Sequence, residues 1–341
     1  MAERMKIAQI GKKRIFIPTE KDIEDMAKQS IDLINIECKD ETDESEIVAA
    51  LQDVDVVLPR VLKMTRQIME KLPRCKALVF GSVGFDEVDV EAATDNNILV
   101  INNPAVEWCV EEVSNQAMVH LLACAKKLTI LNDLTKKGRW MDAKAAQKPM
   151  VSIHGQTIGL VGCGSIGLMT GKKAQAFGMK VIGYDPYLDK AVAKANNITL
   201  MSLPELLKQA DFVSVHTPLL DATYHLLSEK EFGMMKPSAY VINTARGKVI
   251  DEPALIKALQ EKKIAGAGLD VFEQEPADPN NPLFKMDNVI VTPHCASYSD
   301  VAFAKPLGYM LRQSLKVIQG IMPKNVVNKS VKPKINLRSE D

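Results

Sequence analysis

The sequence predicts an α/β protein built from two parallel sheets, each flanked by helices, and three observations predict it. At 341 residues the chain is too long for one ordinary hydrophobic core and too short for three. Short β-branched runs alternate with amphipathic stretches along most of its length, which is the rhythm of βαβ units. A glycine triplet, Gly162-Cys-Gly164-Ser-Ile-Gly167, stands between one such run and the stretch that follows it.

In the first half, residues 14–17, 32–36, 54–58, 77–80 and 98–101 are the expected strands, with helices at 45–51 and 65–72. A second series places strands at 157–161, 180–184, 212–215, 240–243, 267–269 and 289–291, with helices near 165–177, 203–209 and 252–260. Two sheets in succession give two domains. Between them a long helix is expected from Glu111 to Lys137, closed by Gly138 as a helix stop. Its apolar residues Val113, Ala117, Leu121, Cys124, Leu128 and Leu131 fall at helical spacing. After Pro323 the chain is polar and lysine-rich, so residues 329–341 read as a surface tail.

Composition narrows the function classes. Lysine plus arginine number 43, and aspartate plus glutamate number 43. No net basic field is left to gather nucleic acid or an anionic membrane. Six scattered cysteines show no Cys-x-x-Cys pair and no zinc spacing, so neither a disulfide framework nor a metal is expected. The amino terminus has no signal-peptide core, and the apolar stretch 117–125 is interrupted by His120. A soluble, cytoplasmic protein with a small-molecule or protein partner is the expectation.

The glycine triplet carries specific chemistry. Gly162 suits the tight turn after a strand, Gly164 lets a pyrophosphate approach the backbone, and Gly167 lets the helix lie close to the sheet. The helix start, with Ser165 and Ile166, then offers N–H groups to the phosphates. Asp185 ends the next strand, 18 residues beyond Gly167, where a carboxylate bonds the ribose hydroxyls. Pro186 and Tyr187 follow it, with no arginine for a 2′-phosphate. The cofactor expected is NAD.

Hydride transfer to a carbonyl needs a positive group on the oxygen and an acid to protonate it. Open parallel sheets place such groups at the carboxyl ends of their strands. The strand at 240–243 runs into Thr244-Ala245-Arg246-Gly, and the strand at 289–291 into Thr292-Pro-His294. Arginine grips a carboxylate bidentately and stays charged. Of the other histidines, His120 falls on the long helix, His154 and His225 in loops, and His216 at a strand end in the cofactor half. Either Glu273 or Glu275 in Leu269-Asp270-Val-Phe-Glu273-Gln-Glu275-Pro can orient the imidazole and raise its pKa.

Together, the glycine fingerprint, Asn243-Thr-Ala-Arg246-Gly, Leu269-Asp-Val-Phe-Glu-Gln-Glu275-Pro and Thr292-Pro-His294 resemble the D-isomer-specific 2-hydroxyacid dehydrogenases across about residues 6–328. The resemblance implies a Rossmann-type NAD-binding domain, residues 105–298, inserted in a flavodoxin-like substrate domain, residues 1–104 plus 299–328. It implies Arg246 as the substrate-polarising group, Glu275 as the partner of His294, and His294 as proton donor or acceptor. The backbone N–H groups at Val83 and Gly84 would hold the substrate carboxylate. Thr244, Ala245 and Asp270 would hold the nicotinamide amide, and Thr217 and Pro218 would flank the adenosine. A homodimer through the cofactor domain is implied as well, with the long helix and Gly138-Arg-Trp140 in its interface. Asn103-Pro-Ala, Val110-Glu-Glu-Val and His294-Cys-Ala-Ser-Tyr298 look most like the C-terminal binding protein branch, although its animal members carry tryptophan where Ser297 stands here. A glyoxylate- or hydroxypyruvate-like 2-oxo acid is the implied substrate. An NADH-sensing interaction protein and a 3-phosphoglycerate dehydrogenase are the alternatives.

Overall fold

The computed structural model describes residues 4–11, 18–60, 62–103 and 107–339. The chain divides into two compact units, one formed by Met1–Val106 with Ser299–Asp341 and the other by Glu107–Tyr298. The strand expected at 14–17 and the boundary expected between residues 104 and 105 fall outside the described residues.

The first unit begins β1 (Met5–Gly11), α1 (Glu20–Lys28), β2 (Ile31–Glu37), α2 (Glu44–Leu51), β3 (Val56–Pro59), α3 (Arg66–Met69), β4 (Ala77–Val79), α4 (Val90–Asp95) and β5 (Leu99–Ile101). Its strands are all parallel in the order β2-β1-β3-β4-β5, the flavodoxin-like winding. Strand β1 was not anticipated. Lys6 and Gln9 interrupt its apolar run, yet Ile7, Ala8 and Ile10 are fully buried between the two neighbours. Helix α1 was also missed, although Thr19 and Asp22 form a reciprocal capping box at its start. The helix expected at 65–72 is a single turn, because Pro73 disfavours helical backbone at Leu72.

The second unit contains α5 (Glu107–Lys126), α6 (Leu128–Lys136), α7 (Trp140–Ala146), β6 (Thr157–Val161), α8 (Ser165–Ala176), β7 (Lys180–Tyr184), α9 (Lys190–Ala195), β8 (Thr199–Leu200), α10 (Leu203–Gln209), β9 (Phe212–Val215), α11 (Glu229–Phe232), β10 (Tyr240–Asn243), α12 (Glu252–Gln260), β11 (Gly266–Leu269) and β12 (Val289–Val291). The sheet order is β12-β11-β10-β9-β6-β7-β8. From β6 the chain winds outward through β7 and β8, then crosses to β9 and winds the other way. This reversal between β6 and β9 is where open sheets leave a ligand crevice at their carboxyl ends.

The long helix expected at 111–137 is two helices. Lys127 takes left-handed backbone, φ 52°, and its ammonium donates to the carbonyls of Ala146 and Lys148. Val113, Ala117, Leu121 and Cys124 are buried as the spacing predicts. Beyond the break the pattern no longer meets the sheet: Leu128 is exposed and α6 buries no residue.

The chain then returns to the first unit through α13 (Asp300–Ile318), whose Leu307, Met310, Leu311 and Val317 complete the core on one sheet face. The stretch after Pro323 is not a free tail. Val326 bridges Ile101 at the sheet edge, and the buried Asn328 accepts from the Val100 N–H and donates to the Ile98 carbonyl. Val331 and Leu337 pack on the core, and Ile321 bridges Arg338. Few apolar residues suffice because side-chain and backbone hydrogen bonds tie this segment down. Among the described residues, no helix is long and apolar enough to cross a membrane.

Candidate functional site

Strand β6 runs straight into the glycine triplet and α8 starts at Ser165. Gly162 has φ +94°, and a Cβ there would lie 2.9 Å from the His216 carbonyl carbon and the Thr217 nitrogen. A Cβ on Gly167 would lie 2.2 Å from the Gly162 carbonyl oxygen, so no larger residue fits between turn and helix. At Gly164, by contrast, a Cβ would meet nothing within 4 Å. Gly164 is also the N-cap of α8 and supplies no capping side chain. The first-turn N–H groups thus have no capping side chain, and the space beside Gly164 is open, an arrangement suited to receive an anion.

Asp185 stands at the end of β7, beside this turn. One carboxylate oxygen accepts from the Cys163 N–H at 2.8 Å, and the other from the N–H groups of Tyr187 and Leu188 at 2.9 and 3.2 Å. Each oxygen has further lone pairs for hydroxyl donors. At the ends of β9 and β10, the hydroxyls of Thr217 and Thr244 and Nδ1 of His216 are buried, with no partner among the described residues. Buried polar atoms of this kind are satisfied by a bound polar group. The cradle thus fits a dinucleotide. His216 itself lies under the turn with Nε2 on Ser214, and burial pushes its pKa down to about 4, so its ring is neutral. Pro218 is exposed beyond it, its carbonyl accepting from the Thr223 hydroxyl.

Strand register assembles the second half of the site. Asn243 is level with Leu269, and Leu269 with Val291, so three adjacent strands end together. Buried Asn243 shapes the first end, donating to the Arg246 carbonyl and accepting from the Ala245 N–H. Arg246 donates to the Ala245 carbonyl. Asp270 follows the second strand and is completely buried. Its carboxylate accepts from the Thr292 hydroxyl and from the N–H groups of Cys295 and Ala296, while its carbonyl accepts from the His294 N–H at 2.7 Å. Sequence reasoning gave Asp270 only a cofactor contact; the structure makes it the clamp of the 292–296 loop.

That loop presents His294 in left-handed backbone, φ 50°. Its Nδ1 lies 2.6 Å from a Glu275 oxygen, and the other Glu275 oxygen accepts from the Phe272 N–H. The pairing with Glu275 holds the His294 pKa above its ordinary value, against burial and the positive charge of Arg246. Burial pushes the Glu275 carboxyl up, but His294, the Phe272 N–H and Arg246 outweigh it and leave it below the usual range. Of the two glutamates that spacing left open, Glu275 reaches His294 and Glu273 does not. Glu273 lies 2.6 Å from His225 Nε2, and its carboxylate accepts from the Glu252 N–H at the start of α12 while the Glu252 carboxylate accepts from the Glu273 N–H. His225 shows its other nitrogen to Asp251 at 3.9 Å. His225, Asp251 and Glu273 each offer a ligand atom, and these atoms lie within 4.8 Å of one another, so among the described residues this is the cluster whose spacing could hold a metal ion.

Val83 and Gly84 belong to the first unit, in the loop after β4. The Val83 carbonyl accepts from Asn102 and the Gly84 carbonyl from Ser82. Asn243, which reasoning from the sequence quoted only as part of a motif, emerges as the residue that shapes the arginine turn.

Comparison with known proteins bears on the family and the fold. Residues 118–296 match the family described as D-isomer specific 2-hydroxyacid dehydrogenase, NAD binding domain, and residues 15–129 match the catalytic domain of the same family. The chain is 39% identical to D-3-phosphoglycerate dehydrogenase of Methanocaldococcus jannaschii over 83% of its length, but spans only 53% of that protein. It is 36% identical to glyoxylate reductase of Korarchaeum cryptofilum, covering 86% of this chain and 89% of that one. The crystal structure of D-lactate dehydrogenase from Aquifex aeolicus with NAD and lactic acid superposes with a TM-score of 0.79 at 29% identity, covering 94% of this chain and 99% of that one. With both family domains matched in order and the fingerprint and strand-end residues in place, this chain belongs to the D-isomer specific 2-hydroxyacid dehydrogenases, oxidoreductases that use NAD(H) to interconvert a 2-hydroxy acid and its 2-oxo acid.

Proposed function

We propose that this chain reduces a small 2-oxo acid of the glyoxylate and hydroxypyruvate kind, with His294 as the acid, Glu275 as its partner and Arg246 as the group that polarises the carbonyl. The 2.6 Å contact between His294 and Glu275, on a strand end next to the one that leads to Arg246, carries this reading. Bound NADH supplies the hydride. His294, kept protonated by Glu275, gives the proton to the carbonyl oxygen from Nε2, because Nδ1 is turned to the carboxylate. Arg246 stabilises the negative charge growing on that oxygen. The N–H groups of Val83 and Gly84 hold the substrate carboxylate in the same reading. Gly162, Gly164, Ser165, Ile166 and Gly167 receive the pyrophosphate, Asp185 the ribose, Thr217 and Pro218 the adenosine side, and Thr244, Ala245 and Asp270 the nicotinamide side.

The substrate class is supported by the relatives named glyoxylate reductase. Following NADH absorbance with glyoxylate, hydroxypyruvate, pyruvate, longer 2-oxo acids and 3-phosphohydroxypyruvate tests it. Turnover is expected fastest with glyoxylate or hydroxypyruvate. No oxidation of NADH with any of them sinks the proposal, and a preference for the phosphorylated acid replaces its substrate.

A homodimer belongs to the same reading. Leu128 is 58%, Trp140 61% and Met141 74% exposed on α6 and α7, a set of large apolar residues that a partner surface would cover. Sedimentation velocity is expected to show a two-chain particle that Met141→Lys weakens. A wild-type particle of one chain at micromolar concentration ends this part of the proposal. A cytoplasmic location suits the cysteines, all six of which are free and five buried.

A further inference from the structure

His120 lies on α5, 172 positions before Thr292, and the reaction described above does not use it. It is nonetheless 1% exposed, a polar ring set into the core against β11. A Cβ on Gly268 would lie 2.7 Å from the His120 Cβ and 2.9 Å from Nδ1, so the ring has no room to swing toward the sheet. Burial lowers its pKa, and a neutral imidazole offers a single N–H.

The partner of that ring is Thr292. His120 Nε2 is 3.0 Å from the Thr292 hydroxyl oxygen, and the Gln116 amide nitrogen, one helical turn earlier, is 3.3 Å from the same oxygen and 3.1 Å from His120 Nε2. Thr292 donates its only hydroxyl proton to the Asp270 carboxylate. Its oxygen therefore acts toward α5 purely as an acceptor: the Gln116 amide donates to it, and His120 Nε2 faces both. With the His120 proton on Nε2 the ring donates to that oxygen; with it on Nδ1, Nε2 accepts from Gln116, which still donates to Thr292, and in both cases Nδ1 is the buried atom without a partner. Hydrogen bonds run in one direction, from α5 through Thr292 to Asp270, and each polarises the next.

Asp270 is the residue that holds the loop carrying His294. It takes the N–H groups of Cys295 and Ala296 on its carboxylate and that of His294 on its carbonyl. Its carboxylate is completely buried, so its position depends on every donor around it being in place. We propose that His120 is a positioning residue of the acid–base pair, fixing the Thr292 hydroxyl and through it the Asp270 clamp that sets His294 against Glu275. The inference rests on the reading of His294 as the acid. It makes α5 part of the machinery that aims the imidazole, where the sequence offered the helix only as core or as subunit contact. A charge pair at 2.6 Å on a loop with left-handed backbone tolerates little movement, because sites loosened by about 1 Å lose function.

Four variants separate this role from simple filling of the core. His120→Leu fills the space without a donor, whereas the His120→Gln amide nitrogen reaches the place of ring Nε2. Thr292→Val removes only the hydroxyl, and Thr292→Ser keeps it. Two readouts apply to each: the titration midpoint of the His294 ring, followed by NMR in the cofactor-free protein, and kcat for 2-oxo acid reduction against pH. In His120→Leu and Thr292→Val the His294 midpoint is expected to fall by about half a pH unit as its pairing with Glu275 loosens. Turnover is expected to fall by about ten-fold, with NADH affinity from fluorescence titration changed by less than about two-fold. His120→Gln and Thr292→Ser are expected to restore most of both. If His120→Leu does not fold, Thr292→Val carries the test alone, being the same shape as the native residue. Folded variants with the wild-type midpoint and turnover overturn the proposal, and so does an equal loss in the donor-keeping and donor-less members of each pair. Since the NMR readout needs no turnover, it stands apart from the function itself: a His294→Asn enzyme with full activity would end the catalytic reading while leaving the relay measurable.

Discussion

His294→Asn lowers the rate of 2-oxo acid reduction by about a hundred- to ten-thousand-fold, the usual contribution of a positioned general acid. Affinity for NADH should change little, since the phosphate and ribose cradle at Gly162, Gly164 and Asp185 is built from β6, β7 and α8. The pH profile tells the same story with a sign that can be checked. If the charged ring is the acid in reduction, as proposed, the rate is retained below the His294 pKa and lost as pH rises through it. Pairing with Glu275 raises that pKa, which extends reduction to higher pH. Glu275→Gln removes the negative charge, and the alkaline limb moves to lower pH. Oxidation of the hydroxy acid needs the neutral ring and should rise with pH through the same midpoint. Measuring kcat/KM against pH in both directions checks each point, and an unchanged alkaline limb in Glu275→Gln would falsify the pairing.

In the proposed reading, Arg246→Ala removes the positive charge beside the carbonyl oxygen. A loss of about a hundred- to thousand-fold in kcat is expected, the scale seen when one preorganised stabilising donor is removed. KM for the 2-oxo acid should rise with it. Arg246→Lys restores charge without the planar fork and should recover only part of the loss. The pH profile again separates this residue from Glu275. Arg246 pushes the His294 pKa down, so its removal shifts the alkaline limb of the residual activity upward, opposite to Glu275→Gln. Steady-state kinetics of both variants over the same pH range provide the comparison. Wild-type turnover in Arg246→Ala, or a shift in the same direction as Glu275→Gln, removes Arg246 from the proposed role.

Much of this site was legible along the chain because it is built from local units. A strand, a glycine turn and a helix start lie within Thr157–Ala176, and the strand ends before Arg246 and His294 each occupy one short segment. Patterning finds such units because the side-chain period and the turn residues are properties of neighbours in sequence. The break at Lys127 was not legible. Its surroundings have ordinary helix formers, and what ends the helix is a lysine reaching carbonyls about twenty residues away at Ala146 and Lys148. The choice between Glu273 and Glu275 was equally closed to spacing. Both can reach an imidazole in principle, and the decision falls to α12, whose amino terminus holds Glu273 while His225 meets it.

The polar end of the chain carries a similar lesson. Residues after Pro323 have too few apolar side chains to predict a packed segment, and Asn328 anchors them through hydrogen bonds to β5 that no hydrophobic pattern announces.

The residues along the chain give the two-sheet class, the dinucleotide fingerprint with its acidic partner, and Arg246 and His294 at strand ends, with the glutamate left open between Glu273 and Glu275. Those features depend on residues near one another in sequence. Which groups touch was settled by the fold. Parallel pairing of β10 with β11 and of β11 with β12 brings three strand ends level, and thereby joins residues far apart in the chain. Asp270 meets Thr292, and Thr292 meets His120 across 172 positions. Strand order and register follow from burying both faces of a parallel sheet at once, a condition on the whole domain that no single segment contains.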